Sequence, residues 1–131
     1  MTDDITAFMT SAAFGVVGAS GDRNKYGNKV VRCYQMNGYS VIPVNPKSES
    51  IEGIRCVSSV SDLPDSVQSI SIITPPAVTE AVVEAAIARG IRHIWMQPGA
   101  ESDRAIARCN EAGVTCIADH SCVLVVLGYH E

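Results

Sequence analysis

Short apolar runs alternate along the chain with stretches whose apolar residues recur every three or four positions, a switch between the strand and helix periods. Residues 3–10 read as a short amphipathic helix with Ile5, Phe8 and Met9 on one side. Residues 13–17 form an apolar strand that feeds the tight turn Gly18-Ala19-Ser20-Gly21. Tyr26, Val30, Cys33 and Tyr34 then mark a helix, with Gly38 where a C-terminal cap belongs. Residues 39–44 are a second strand, stopped by Asn45-Pro46, and 53–57 a weaker third. Ser61-Asp62-Leu63-Pro64 reads as one helical turn, and 69–73 as a fourth strand ending at Thr74-Pro75-Pro76. The helix that follows, 77–89, carries Val78, Val82 and Ala85 on one face. Pro76 suits its start, Glu80 its first turn, Arg89 its last and Gly90 its stop. A fifth strand at 91–96 turns at Gln97-Pro98-Gly99, and a helix capped by Ser102 runs to Ala112, with Gly113 beyond it. Residues 114–117 are a sixth strand, and 122–127 a further apolar run that fits either a strand or a helical turn.

Strands and helices that alternate through short turns require right-handed crossovers, hence a mostly parallel sheet with helices on both faces. The expected order is 3-2-1-4-5 with the sixth strand outside it. The chain therefore reads as one α/β domain over residues 1–131, Rossmann-like and doubly wound, with a sheet of five to six strands. That length buries a sizeable core without disulfides or metal.

Composition narrows the class of partner. The chain is 47% hydrophobic and 18% charged, with aromatics only 5%, so Val, Ile and Ala supply a core suited to buried parallel strands. A net charge of −4 argues against nucleic acid, whose phosphates call for a stripe of Lys and Arg. No apolar run reaches the ~18 residues of a membrane span. Asp3 and Asp4 stand where a secretory signal would carry basic residues, so a cytoplasmic protein is expected. The five cysteines (33, 56, 109, 116 and 122) show no C-x-x-C spacing and read as small buried hydrophobes in a reducing compartment. Asp119, His120 and Cys122 form a local cluster of ligand types whose spacing matches no zinc pattern, so no metal is expected.

In doubly wound sheets ligands bind beyond the carboxyl ends of the strands, at the switch point between strands 1 and 4. Four turns meet at that edge: Gly18-Ala19-Ser20, Asn45-Pro46-Lys47, Thr74-Pro75-Pro76 and Gln97-Pro98-Gly99. The first lies in a G-x-x-G-x-x-G run, not the dinucleotide fingerprint G-x-G-x-x-G, and no Gly-Lys-Ser/Thr follows to make a P-loop. Small residues there let the backbone approach a phosphate, and the helix behind it offers N–H groups. A tight turn with nothing bound accounts for the same glycines. An NAD site has Asp or Glu ending strand 2 to receive the ribose diol. Here Asn45 stands near that position, Lys47 follows, and no carboxylate occurs until Glu49. A cation there suits a phosphorylated ribose, as in coenzyme A or NADP; a solvated surface lysine is the alternative. Arg23, Lys25 and Lys29 cluster near a helix N-terminus and favour an anion such as a pyrophosphate, partly offset by Asp22. Tyr26 fits ligand contact and core packing equally.

With these turns in view, the chain resembles the small stand-alone CoA-binding domain family, itself similar to the CoA-binding domain of the succinyl-CoA synthetase alpha subunit. The matching stretches are residues 17–20, 24–29, 41–47, 72–76 and 94–100, within a resemblance covering about 13–127. It implies that the glycine turn meets the CoA pyrophosphate and that Asn-Pro-Lys lies by the phosphorylated ribose. Thr-Pro-Pro and Gln-Pro-Gly would flank the adenine and pantetheine path. The expected site is thus Gly18, Ala19, Ser20, Lys25, Tyr26, Asn45, Pro46, Lys47, Thr74, Pro75, Pro76, Met96, Gln97 and Pro98. Its ligand is coenzyme A or an acyl-CoA, held by a non-catalytic carrier or sensing module with a possible acyl-CoA-using protein partner. The tail Ala118-Asp119-His120-Ser121-Cys122 departs from the Gly-Pro-Cys or Asp-Arg-Cys ending of the family.

No catalytic residue is expected. In the synthetase the catalytic histidine lies in a further domain, without a counterpart in these residues. Of the three histidines, His93 sits inside a strand, away from the rim, and His130 is next to the terminus. His120 and Cys122 would make a thiolate–imidazole pair only if their side chains touch, and no third orienting group is apparent. Glu101 and Asp103 suit either an acidic rim or a helix start. The alternative function is an NAD(P)-linked oxidoreductase, or an accessory subunit of an acyl-CoA synthetase.

Overall fold

Runs of buried Val, Ile and Phe become the strands of one parallel sheet, because only a two-sided cover of helices removes both of their faces from water. The structure, a computed structural model, describes residues 3–130; residues 1, 2 and 131 of the expected domain lie outside it. In chain order the elements are α1 (Asp3–Phe8), β1 (Ala13–Val17), α2 (Tyr26–Met36), β2 (Val41–Val44), β3 (Ser50–Ile51) and β4 (Ile54–Arg55). A single 3-10 turn, Val60–Asp62, leads to β5 (Val67–Ile72), α3 (Pro76–Arg89), β6 (His93–Met96), α4 (Asp103–Ala112), β7 (Thr115–Ile117) and α5 (Val123–Val126). The main sheet has five strands in the order β2-β1-β5-β6-β7, every pair parallel. The fold is α/β and Rossmann-like.

The weak third strand is corrected. Its stretch splits into an antiparallel hairpin, Ser50 opposite Arg55 and Ile51 opposite Ile54. The two loop residues, Glu52 and Gly53, have φ of 52° and 77°, the left-handed pair that a tight hairpin of this type requires. Only Val57 reaches the main sheet, through a parallel bridge to Val44. The tail resolves to the single helical turn α5.

Helix ends follow their capping residues. The Ser102 hydroxyl accepts from Ala105 N at 3.3 Å, and Gly90 and Gly113 close α3 and α4 in left-handed conformation. Pro76 opens α3, and its first turn holds no acid. Glu80, expected in that turn, lies one position too far along and instead accepts from the Ser102 hydroxyl of α4.

Each sheet face has its own core. One is aliphatic, with Val17, Ile70, Ile72 and Ile94 packed beneath α3 and α4 residues Val83, Ala86 and Cys109. The other is aromatic: Phe14 stacks between Phe8 and Tyr34, and Trp95 meets Phe8 edge-on. Two serines of β5 face this aromatic side and are satisfied there. Ser69 donates to Phe8 O at 2.7 Å, and Ser71 pairs with the Tyr34 hydroxyl at 2.7 Å. Burial of Tyr34 raises its phenol pKa, so it stays neutral.

Candidate functional site

The carboxyl ends of β1, β2 and β5 open into a groove of about 840 Å³. The glycine turn forms its floor. Gly18 has φ 92°, and a Cβ placed there would lie 2.2 Å from Ile73 O. A Cβ on Gly27, in the first turn of α2, would lie 2.1 Å from Gly18 O. The turn is therefore pressed against both β5 and α2. Tyr26 and Gly27, which open α2 ahead of its first N–H···O=C bonds to Lys25 O, lie at this floor.

The second turn is locked by one side chain. Asn45 Nδ2 donates to Ala19 O at 2.9 Å, while its Oδ1 accepts from Lys47 N at 2.7 Å and Ser48 N at 3.1 Å. Its oxygen and one of its two N–H groups are thus spent on the backbone, and it brings no negative charge to the place where an NAD site would set a carboxylate against the ribose diol.

Of the expected residues, Gly18, Ala19, Ser20, Lys25, Tyr26, Asn45, Pro46, Lys47 and Thr74 line the groove together. The other five do not. Pro75 and Pro76 stand exposed at the start of α3, and Pro98 is exposed in its turn. Met96 and Gln97 are fully buried, the methionine within the aliphatic core and the glutamine in a hydrogen-bond cluster. Gln97 Oε1 accepts from the Tyr26 hydroxyl at 3.0 Å and from Val123 N at 2.9 Å.

Sequence reasoning missed one wall. Val78, Ala81, Val82 and Ala85 of α3 face the groove with Ile73 and Val60, and Ser58 and Ser59 complete the rim. The Val78, Val82 and Ala85 stripe was legible as a face, but it covers the groove and leaves Val83 and Ala86 to enter the core. The groove is thus two-sided, with Lys25, Lys47 and several hydroxyls facing an aliphatic wall. Among the described residues, no carboxylate lines it.

The remaining candidates separate. Arg23 turns from the groove to Glu52, at 2.7 Å. Tyr26 lines the groove, and its hydroxyl also reaches inward to touch Cys122 Sγ. Burial, then the Cys122 contact, raise its pKa and keep it protonated. His120 and Cys122 do not pair, since His120 is exposed and faces Glu101 at 3.9 Å. Asp119 accepts from the Ser121 hydroxyl and N–H, which hold its pKa below the ordinary carboxylate value. Glu101 accepts from Gly99 N at 3.0 Å, bracing its own turn. His93 opens β6 at the amino edge of the sheet, opposite the groove. Among the described residues, no three His, Cys, Asp or Glu side chains gather closely enough to hold a metal ion. No helix among them is long and apolar enough to cross a membrane.

Residues 12–128 match the family model described as a CoA binding domain. The chain belongs to that CoA-binding domain family. The chain is 27% identical over 109 residues to the uncharacterized protein YneT of Bacillus subtilis, covering 83% of this chain and 81% of that one. It is 30% identical over 77 residues to an ADP-forming acetate–CoA ligase of Methanocaldococcus jannaschii, where the match covers 59% of this chain and only 11% of the ligase. A conserved hypothetical protein from Pyrococcus furiosus superposes with a TM-score of 0.84 at 37% identity, covering 87% of this chain and 97% of that one. Membership in this family is consistent with a groove that carries lysines and no acid.

Proposed function

We propose that the groove binds coenzyme A or an acyl-CoA, and that the chain is a single-domain cytoplasmic module that carries or senses this ligand without turning it over. The observation that carries the reading is the groove lining, with Lys25 and Lys47 and no carboxylate around a backbone floor shaped for phosphate. The glycine turn and the start of α2 would receive the pyrophosphate. Lys47 would receive the phosphorylated ribose, and the α3 wall would cover the less polar parts. The volume suits a ligand of that size class. The committed Asn45 amide argues against an NAD-linked oxidoreductase. His120 and Cys122 point to different partners and do not act as a nucleophile and its base. The likeness to ADP-forming ligases supports a second role, as an accessory module to an acyl-CoA-using protein partner.

Titration calorimetry tests the reading: CoA should bind saturably and NAD far more weakly. Lys47→Ala should weaken CoA roughly fivefold to tenfold, the effect of about 1 kcal/mol at an exposed charge. Dephospho-CoA, which lacks the ribose phosphate, should lose little. NAD binding without CoA binding would overturn the ligand, and equal losses for both CoA forms would overturn the role of Lys47.

A further inference from the structure

Cys122, Tyr26 and Gln97 come from the loop after β7, the start of α2 and the turn after β6, and meet at one point. We propose that Cys122 is a covalent attachment site for the thiol end of the ligand, forming a mixed disulfide with coenzyme A. The proposal rests on the CoA reading above and adds a reactive residue to it.

The hydrogen-bond directions in the cluster are determined by its acceptors. Gln97 Oε1 can only accept, so the Tyr26 phenol spends its one proton on it, and the Cys122 thiol must donate to the phenol oxygen. Gln97 Oε1 also holds the Val123 N–H. When Cys122 loses its proton, the phenol can therefore turn its hydrogen to the sulfur without orphaning the glutamine oxygen. Gln97 is fully buried, and its Nε2 has no partner among the described residues. The amide cannot flip to cure this, because its oxygen already receives two donors. The cluster thus joins a buried amide to a half-buried thiol through one shared phenol oxygen.

Topology places the thiol at the correct end. Lys47 follows β2, whereas Gln97 follows β6, and the sheet order sets these ends three strand spacings apart, about 14 Å. Tyr26 bridges that span, with one side on the groove and its hydroxyl in the cluster. A ligand anchored by phosphates near β2 and β1 would lay its flexible arm past Tyr26 toward β6 and the half-buried Cys122, which stands beyond the groove lining. Cys33 and Cys109 are fully buried, and burial pushes Cys33 up to about 11.

The chemistry is thiol–disulfide exchange with a low-molecular-weight disulfide, here the symmetrical disulfide of CoA. The Cys122 thiol gives its proton to solvent, and its sulfur attacks one sulfur of the CoA disulfide. A protein–CoA disulfide forms, and one CoA thiolate leaves and takes up a proton. One disulfide is consumed and one is made, so no further oxidant is needed.

The test uses the full chain with CoA disulfide, and with oxidised glutathione as the comparison. Intact-mass and peptide mapping should show one CoA added at Cys122, reversible by dithiothreitol. It should form at least about tenfold faster than the glutathione adduct, because the groove holds the disulfide beside the sulfur. Cys122→Ser should abolish the adduct, and Tyr26→Phe should slow it. An adduct on another cysteine, or no preference for CoA disulfide, overturns the proposal. Calorimetry of the wild-type chain with CoA under reducing conditions separates the two readings. Binding without an adduct rejects the role of Cys122 alone; no binding rejects the CoA reading and this proposal with it.

Discussion

Asn45 joins two turns of the rim, and Asn45→Ala measures how much of the groove that joint sustains. The substitution removes three hydrogen bonds, to Ala19 O at 2.9 Å, Lys47 N at 2.7 Å and Ser48 N at 3.1 Å. Each is worth about 0.5–1.5 kcal/mol net. Asn45 is half-exposed, so water replaces part of what is lost, and the expected cost is about 2 kcal/mol. Urea unfolding should show this as a lower midpoint at unchanged slope, and thermal melting as a fall of about 6–8 °C. The bond to Lys47 goes to its backbone N–H, so Lys47→Ala leaves it in place. The stability costs of the two substitutions should then add to within about 0.5 kcal/mol, although the positions are near neighbours. A cost for Asn45→Ala under about 0.5 kcal/mol would mean that water supplies all three partners, and would refute the claim that this side chain holds the rim.

Two further predictions concern parts of the fold away from the groove. Arg89 donates from Nε to Leu63 O at 3.0 Å and from one terminal nitrogen to Val67 O at 2.8 Å and to Pro64 O. Arg89→Ala should cost about 2 kcal/mol by thermal melting, and Arg89→Lys should restore little of it, because a point ammonium cannot reproduce the fork. Burial, then Arg92, lower the pKa of His93, whose Nδ1 has no partner among the described residues. A folded-state pKa below the unfolded value means that the unfolded chain binds the proton first as pH falls below 6.5. Stability should therefore decline as pH drops from that point through the folded pKa, and His93→Gln should flatten the decline in urea midpoints measured from pH 7 down to about pH 5.

The main sheet was legible because its strands carry short runs rich in Val, Ile and other apolar residues, with β5 alternating Ile70 and Ile72 against Ser69 and Ser71. Their amino-terminal boundaries shifted by one or two residues: 39 and 40, 91 and 92, and 114 fell outside their strands. The hairpin at Ser50–Ile51 and Ile54–Arg55 was hidden for a different reason. Its turn places Glu52 at positive φ, a conformation that Asn, Asp or Gly would have announced. Long-range contacts hold it there. The Glu52 carboxylate accepts from Arg23 at 2.7 Å and Asn28 at 3.1 Å, and its carbonyl accepts from Gln35 at 3.2 Å. The same pairing removed Arg23 from the expected anion site. At the rim, glycine and proline marked where the chain turns but not which turns share a groove. Thr74 reached it while the adjacent prolines were absorbed by the start of α3, and Gln97 was drawn inward by Tyr26 and Val123.

The missing Cβ atoms at Gly18 and Gly27 have a consequence for recognition itself. Two backbones in direct contact, one turn against one helix, leave the floor of the groove no slack to close around a guest. Its ordering entropy is lost when the chain folds, not when a ligand arrives. Selectivity in this groove is then the sum of what each fragment of a guest meets on a fixed template, and under the proposed coenzyme A reading the pyrophosphate, ribose phosphate and flexible arm would contribute as separable increments.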